Sequence, residues 1–438
     1  MGERNRRDFL AASLAAVPAV LAARGARAQA GTTVPAQATA SRGRPLRVGV
    51  IGCGGRGGGA AMDALRAGPD STVVALADAF AERVDGVAAG LAQEFGPRAE
   101  VPASRRFVGF DAYRKVLESD CDVVILATSP GFRPTHFAEA VDAGKHVFFE
   151  KPVAVDPAGV RTVLAAGERA SARGLCIVSG TQRRHERCYL QAMAMIRDGA
   201  IGQPVAARVY WNQGGLWSRE PDPALSDIEN QVRNWLYHTW LSGDHIVEQH
   251  VHNLDVMNWA FDSRPQRCIA TGGRQVRTQP VYGAINDHFS VHYVFDGGPA
   301  GERMGASMCR QQDGTDGTVE EVIIGTEGVM RLASGSARCS GRVQWAFDGP
   351  NPNPYRQEHV DLQEAIRGNA PYVNEARQIA ESTMTAIMGR MAAYTGKDLS
   401  WDAAINDPMD LVPKDPKPGP GPVERVAMPG QAPPGQPS

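Results

Sequence analysis

A chain of 438 residues with 43% hydrophobic content is long enough for two ordinary domains with separate cores, which excludes a single small module. The formal net charge of -2, with no long block of one sign, excludes the basic footprint that binding to nucleic-acid phosphates requires. Seven cysteines without a CxxC pair or a metal-finger spacing describe neither a disulfide framework nor a zinc module, so the fold is expected to rest on its cores.

Residues 1–30 read as an address rather than as structure. A basic start is followed by an apolar run over 9–23 and by Ala-x-Ala choices that place cleavage after Ala28 or Ala30. The run is short for a membrane span, and Arg24 and Arg27 follow it closely, so no stable membrane anchor is expected. Arg6 and Arg7 precede Asp8, Phe9 and Leu10, a pattern similar to the twin-arginine export signal of bacteria. That route carries folded proteins, so it implies the twin-arginine machinery as a partner, a periplasmic location and a cofactor loaded before export. A polar linker over 31–44 follows.

The β-branched run 46–51 is expected to form a buried parallel strand. It opens into Gly52-Cys53-Gly54-Gly55-Arg56-Gly57, and an Ala-rich segment with helical spacing follows over 58–67. In this context Gly52 permits a tight turn, Gly54 lets backbone approach a pyrophosphate, and Gly57 lets helix pack on strand. Gly55 and Arg56 lie in the same phosphate-facing loop. A second strand over 72–77 ends in Asp78, whose carboxylate suits a ribose 2'-hydroxyl and repels a 2'-phosphate. NAD is therefore favoured, and Arg83 keeps NADP as the alternative.

The alternation continues with a helix over 111–118, a strand over 123–127, a helix over 132–143 and strands over 146–150 and 176–180, the pattern of a doubly wound parallel sheet over 45–180. Ligands collect at the carboxyl ends of such strands, here Thr128-Ser129-Pro130 and Glu150-Lys151-Pro152, which are expected to face the nicotinamide half. Arg184 and His185, just beyond the last strand, are either contacts to substrate or nicotinamide at the same mouth or surface charges.

The glycine loop, the acid after the second strand, Thr128-Ser129-Pro130 with His136, and Glu150-Lys151-Pro152 together resemble the Gfo/Idh/MocA family, over nearly all of the chain beyond the signal. The resemblance implies a Rossmann domain, a C-terminal α+β domain with a large, mostly antiparallel open sheet, and Lys151 at the reacting centre. A second family signature aligns with Ser-Gly-Asp-His-Ile-Val-Glu-Gln-His-Val-His-Asn-Leu-Asp at 242–255, and it implies that His252 is the catalytic histidine. Glu248 stands where the family has Asp, and His250 where it has a small residue, so substrate recognition is expected to differ. On one helix, Glu248 and His252 at i, i+4 would share a face, and His250 would point elsewhere, with a substrate contact as its candidate role. His245, Glu248 and His252 also fall at helical spacing for a metal, but HExxH is absent and a metal-free site is the expectation.

From 205 the periodicity becomes β-rich, with segments over 205–210, 268–272, 289–295, 304–309 and 318–325 that suggest the antiparallel sheet of a domain spanning 181–405. In the resembling family the outer face of that sheet often serves subunit association, which implies a homo-oligomer. Trp211, Trp217, Trp235, Tyr237 and Trp240 cluster before the histidine segment; Trp235 and Tyr237 are candidates to stack on a sugar ring, and core packing accounts for the group equally well. A helix is expected over 375–394. The Pro- and Gly-rich stretch 406–438 cannot bury enough apolar surface to fold alone, which leaves an extended strap or disorder.

These features predict an exported NAD-dependent oxidoreductase with its cofactor held tightly because no cytoplasmic pool replaces it, and the resemblance implies action on a CH–OH group of a sugar, glycoside or cyclitol. Two other readings remain: a redox-neutral, NAD-using glycosidase, as in some family relatives, and a carbohydrate-binding protein without turnover.

Overall fold

The computed structural model describes residues 45–297 and 301–431; the expected signal and linker over 1–44, and the last residues of the tail, lie outside these. Leu46 and the alternation Val48, Val50 bury one side of β1 (Arg47–Ile51), and the glycine-bearing α1 (Gly55–Ala67) starts at once behind it. The chain continues through β2 (Thr72–Asp78), α2 (Ala81–Phe95), β3 (Arg106–Val108), α3 (Ala112–Glu118), β4 (Val123–Leu126), α4 (Arg133–Asp142), β5 (His146–Phe149), α5 (Pro157–Ala172) and β6 (Ile177–Ser179). Its six strands run parallel in the order β3-β2-β1-β4-β5-β6. The order reverses between β1 and β4, which opens a crevice at their carboxyl ends.

Next come α6 (Arg187–Arg197), β7 (Pro204–Gln213), α7 (Asp227–Arg233), α8 (Thr239–Ser242), α9 (His245–Glu248) and α10 (Val251–Phe261). The second sheet adds β8 (Arg267–Gly273), β9 (His288–Asp296), β10 (Glu302–Gln311), β11 (Thr318–Gly325), β12 (Gly328–Ala333), β13 (Ser336–Gly341) and β14 (Trp345–Ala346). Helices α11 (Pro354–Arg367) and α12 (Ala376–Thr395), then β15 (Leu399–Ser400) and α13 (Trp401–Ile405), close the chain before a stretch without helix or strand. The nine-stranded sheet has the order β14-β13-β12-β11-β7-β10-β9-β8-β15 and is antiparallel except where β7 meets β10. The α/β class and the large, mostly antiparallel second sheet are as the alternation and the β-rich segments predict.

Two packing features position the site. One face of the parallel sheet is covered by α1 and α2 together with Leu362, Ala365 and Ile366 of α11, so the C-terminal part of the chain completes the first core. On the other face, residues of α3, α4 and α5 form one continuous core with α10, α12 and the inner face of the second sheet. The two sheets are thus joined through packed side chains rather than by a linker, and α9 and α10 are carried to the mouth of the crevice.

Candidate active site

One cleft of about 500 Å³ runs along the carboxyl ends of the parallel strands, in the size range of small-molecule and cofactor sites. At its base, Gly52 turns with φ of +95° and donates its N–H to the Ala77 carbonyl at 2.8 Å, tying the loop to β2. A Cβ on Gly57 would lie 1.7 Å from the Gly52 carbonyl oxygen, so only glycine lets α1 approach β1 this closely. Around Gly54 the opposite holds: a Cβ there would meet nothing within 4 Å. The open space in front of Gly54 and Gly55, at the N-terminus of α1, is where the unpaired N–H groups and the helix dipole favour a phosphate.

Asp78 closes one side. Its Oδ2 accepts the Cys53 N–H at 2.7 Å and its Oδ1 the Phe80 N–H at 3.0 Å, which fixes the carboxylate between the loop and the start of α2. Burial raises its pKa, and Arg83 opposes that. Both Asp78 and Arg83 line the cleft. The glycine cradle, the helix N-terminus and the oriented acid fit a dinucleotide: pyrophosphate at Gly54 and Gly55, adenosine ribose at Asp78.

At the other end lie Thr128, His136, Glu150 and Lys151. Thr128 Oγ1 and His136 Nδ1 are 3.2 Å apart, and burial lowers the His136 pKa to about 3, so that ring is neutral. Arg56 turns from the loop to put its Nε 2.5 Å from Glu150 Oε1, and Arg133 donates to the Pro152 carbonyl at 2.5 Å; the two arginines pin the Glu-Lys-Pro turn from both sides. Lys151 donates to the Glu248 carbonyl at 2.6 Å, and its ammonium pKa is lowered by burial against the pull of Glu248 and Glu150. Burial likewise raises the pKa of the Glu248 carboxyl, and Lys151 opposes that shift. His252 stacks on Trp211, with centroids 5.7 Å apart, and its Nδ1 has no partner. Burial holds its pKa well below the usual imidazole value, and the charges of Lys151 and Arg183 reinforce this.

Lys151, Glu248 and His252 therefore come together, but not on one helix. The chain breaks at Gln249 and His250 between α9 and α10, and the turn rather than an i, i+4 face brings Glu248 and His252 to the same wall. Among the cofactor candidates, Gly57 acts by close packing and Pro130 is buried beside the cleft, whose wall is formed by its neighbours Thr128 and Ser129.

Four substrate candidates do not reach the cleft. Arg184 forms a bidentate pair with Asp255 at 2.8 and 2.9 Å, behind the site. His185 lies between Asp361 at 2.5 Å and Glu375 at 3.3 Å; burial disfavours its charge, but the acids outweigh that and raise its pKa to about 10. His250 points to the second sheet, where its Nε2 is 2.8 Å from Ser307 Oγ. Tyr237 is a core residue whose hydroxyl donates to the carbonyls of Leu216 and Trp217, at 3.1 and 2.8 Å, so it holds in place a loop that does line the cleft. Trp235 lines the cleft directly. In each of the four, a polar partner outside the reacting centre claims the side chain.

Gln182 and Tyr355 are cleft residues that the sequence reading passed over. Gln182 opens the tight turn after β6, two residues before Arg184, and its buried Oε1 is unpartnered. Its place at the end of a Rossmann strand was the available signal. Tyr355 starts α11, far along the chain, and carries the Arg56 guanidinium 4.9 Å from its ring centroid; no local pattern marks it. Among the described residues no group of three or more His, Cys, Asp or Glu side chains is arranged to hold a metal ion, and His245 is instead beside Asp244 at 3.1 Å.

The fold and cleft define a dinucleotide-binding protein with a second, sheet-based domain closing the site. The model of the oxidoreductase family with NAD-binding Rossmann fold matches residues 46–178, and that of the GFO/IDH/MocA C-terminal domain matches 189–331, together more than half of the chain. The chain belongs to the Gfo/Idh/MocA family of NAD-binding oxidoreductases. It is 28% identical over 232 residues to an inositol 2-dehydrogenase of Acidothermus cellulolyticus, covering 53% of this chain and 58% of the relative. It is 30% identical over 195 residues to an inositol 2-dehydrogenase of Klebsiella pneumoniae strain 342, covering 44% and 54%. The chain thus matches little more than half the length of these curated relatives. Solved structures share the fold: levoglucosan dehydrogenase with NADH and levoglucosan at a TM-score of 0.64 and 18% identity, covering 82% of this chain and 99% of that one. An aldose-aldose oxidoreductase of Caulobacter crescentus, in complex with glycerol, gives 0.63 and 18%, covering 82% and 100%.

Proposed function

We propose that this protein is an exported oxidoreductase that moves a hydride between a hydroxyl-bearing carbon of a sugar, glycoside or cyclitol and a tightly held NAD. The observation that carries this reading is the meeting of Lys151, Glu248 and His252 in the same cleft as the glycine loop and Asp78. Bound NAD supplies the hydride acceptor. His252, held neutral by burial and lining the cleft, takes the hydroxyl proton; Lys151 donates a hydrogen bond to the oxygen as it becomes a carbonyl; Glu248 binds an adjacent hydroxyl or orients His252. Trp217 offers an aromatic side chain and Glu248 an acceptor, a combination suited to a polyhydroxylated ring. The relatives named inositol 2-dehydrogenase support a polyol or sugar as substrate. Export by the twin-arginine route, a periplasmic site and a homo-oligomeric state belong to the same proposal and rest on the sequence.

The test uses purified protein: denature it, identify released nucleotide by mass, and follow absorbance of bound NADH while adding sugars, cyclitols and glycosides. Substrate-dependent bound NADH supports the reading; release of an aglycone without net NADH would replace it with the redox-neutral glycosidase, and no dinucleotide binding would remove it. Lys151→Ala is expected to retain NAD and lower turnover by about 100-fold or more; full activity would sink the role given to Lys151.

A further inference from the structure

Val232 of α7 and Trp235 line the same cleft as Asp78, Arg83 and Phe110 of the parallel-sheet rim, at its adenosine end. Ile228 and Val232 are buried in one apolar cluster with Phe80, Trp240 and Leu241, and Ala79, Phe110 and Phe132 pack against it. Arg233 adds a guanidinium 5.5 Å from the Phe80 ring centroid and 3.8 Å from Glu82. A seven-residue helix has little stability of its own, so α7 stays where its neighbours hold it.

Those neighbours include the chain beyond residue 405. Leu411 and Val412 pack on the same cluster, and the Leu411 N–H is anchored by Asp156 Oδ2 at 2.8 Å. Further on, the Gly419 carbonyl accepts the Ile228 N–H at 3.1 Å, one of the helix's first-turn donors that no helical carbonyl can serve. The Pro422 carbonyl accepts from Gln231 Nε2 at 3.0 Å. Glu424 accepts the Trp240 N–H at 3.1 Å and lies 3.1 Å from His238 Nδ1. The fit is close: a Cβ on Gly421 would come within 2.4 Å of Gln231 Nε2.

We infer that α7 is the lid of the adenosine site and that the C-terminal strap is its latch, so that bound dinucleotide leaves only when the strap peels away from α7. This rests on the dinucleotide occupying the cleft, and it assigns the tight retention proposed above to a particular device. The hydrogen bonds from the strap to this region go to Ile228 and Gln231 of α7, to Trp240 and to His238, so its hold on the cofactor passes through α7 and the shared apolar cluster.

The experiment measures exchange. Full-length protein carrying NAD is mixed with excess isotopically labelled NAD, and retained unlabelled nucleotide is followed by mass over time. The latch is opened in two ways: by Gly421→Leu with Glu424→Ala in the full chain, and by ending the chain after Asp407. Each removes at least one hydrogen-bonded contact to the lid, so exchange is expected to quicken by about tenfold or more, without loss of the ability to bind NAD. Limited proteolysis within 408–431, in the presence of NAD, checks that the strap is free in the full-length variant. Exchange at the wild-type rate in both variants overturns the latch while leaving the NAD site intact. A wild-type protein that neither carries nor takes up dinucleotide would overturn the cofactor site itself, and the latch with it.

Discussion

Burial, the ammonium of Lys151 and the guanidinium of Arg183 all act on His252 in one direction, holding its ring neutral where a free imidazole would take a proton. A base works in its deprotonated form, so lowering its pKa extends activity to lower pH. The limb of kcat/KM that His252 controls should therefore lie well below about pH 6.5, with no loss centred there. A pH profile of kcat/KM measures this, and a midpoint near that value would show that the ring titrates as an exposed histidine does. His252→Asn should lower kcat/KM by about 100-fold or more across the range. His359 allows the same physics to be read as stability. It is buried against Phe148, with ring centroids 4.2 Å apart, and burial, aided by the charges of Arg56 and His185, lowers its pKa to about 3. The unfolded chain accepts a proton at this residue as pH falls through about 6.5 and the folded chain does not, so folding is penalised progressively below that value. His359→Phe removes the penalty while keeping the stacked ring. In urea unfolding, its stability relative to wild type should improve by about 2 kcal/mol between pH 7 and pH 5; a constant difference would mean that the folded state also takes up the proton.

At the scale of elements, the join of β1 and α1 assigns different work to neighbouring glycines. Gly57 faces the Gly52 carbonyl with no room for a methyl group, and Gly54, with φ of -74°, faces open cleft. Gly57→Ala should cost about 3 kcal/mol of stability through overpacking, and Gly54→Ala less than about 0.5 kcal/mol while still weakening NAD binding by about tenfold. Urea melts and NAD titration of the two variants measure the crossing; equal effects on stability would contradict it. This join was also the most legible part of the chain, because glycine placement and a β-branched run are local signals whose meaning does not depend on distant residues. The break between α9 and α10 was hidden for the converse reason: His245, Glu248 and His252 keep helical spacing, while the interruption falls at Gln249 and His250, and His250 is paired with Ser307 of the second sheet, far along the chain. Arg184 and His185 were placed at the mouth by sequence position alone, and their acids, Asp255, Asp361 and Glu375, come from α10, α11 and the start of α12, which no local window can pair with them. Helix α11 follows a run of prolines and asparagines that reads as loop, and with it Tyr355 was missed.

Over the whole molecule, that helix decides whether the first sheet is a domain in the folding sense. The face of the parallel sheet bearing Phe148, Cys176 and Val178 is closed by Leu362, Ala365 and Ile366, residues from the far end of the chain. The edge of β6 is also occupied from there: the Ile177 N–H donates to the Val373 carbonyl at 2.9 Å, and the Ser179 N–H to Glu375 Oε2 at 2.7 Å. A doubly wound sheet needs both faces covered, and an unpaired edge strand invites association with other chains. The fragment 45–180 contains every strand of the parallel sheet and the whole glycine loop, yet it lacks these closing pieces. It should therefore aggregate or remain loosely packed, with weak near-ultraviolet circular dichroism and no dinucleotide binding. Joining residues 354–395 to it through a flexible linker should restore a cooperative melt and, with Asp78 and Gly54 in place, some affinity for NAD. Cooperative unfolding and NAD binding by the unaided fragment would show that α11 and the 373–375 segment cover the first core without being needed to form it.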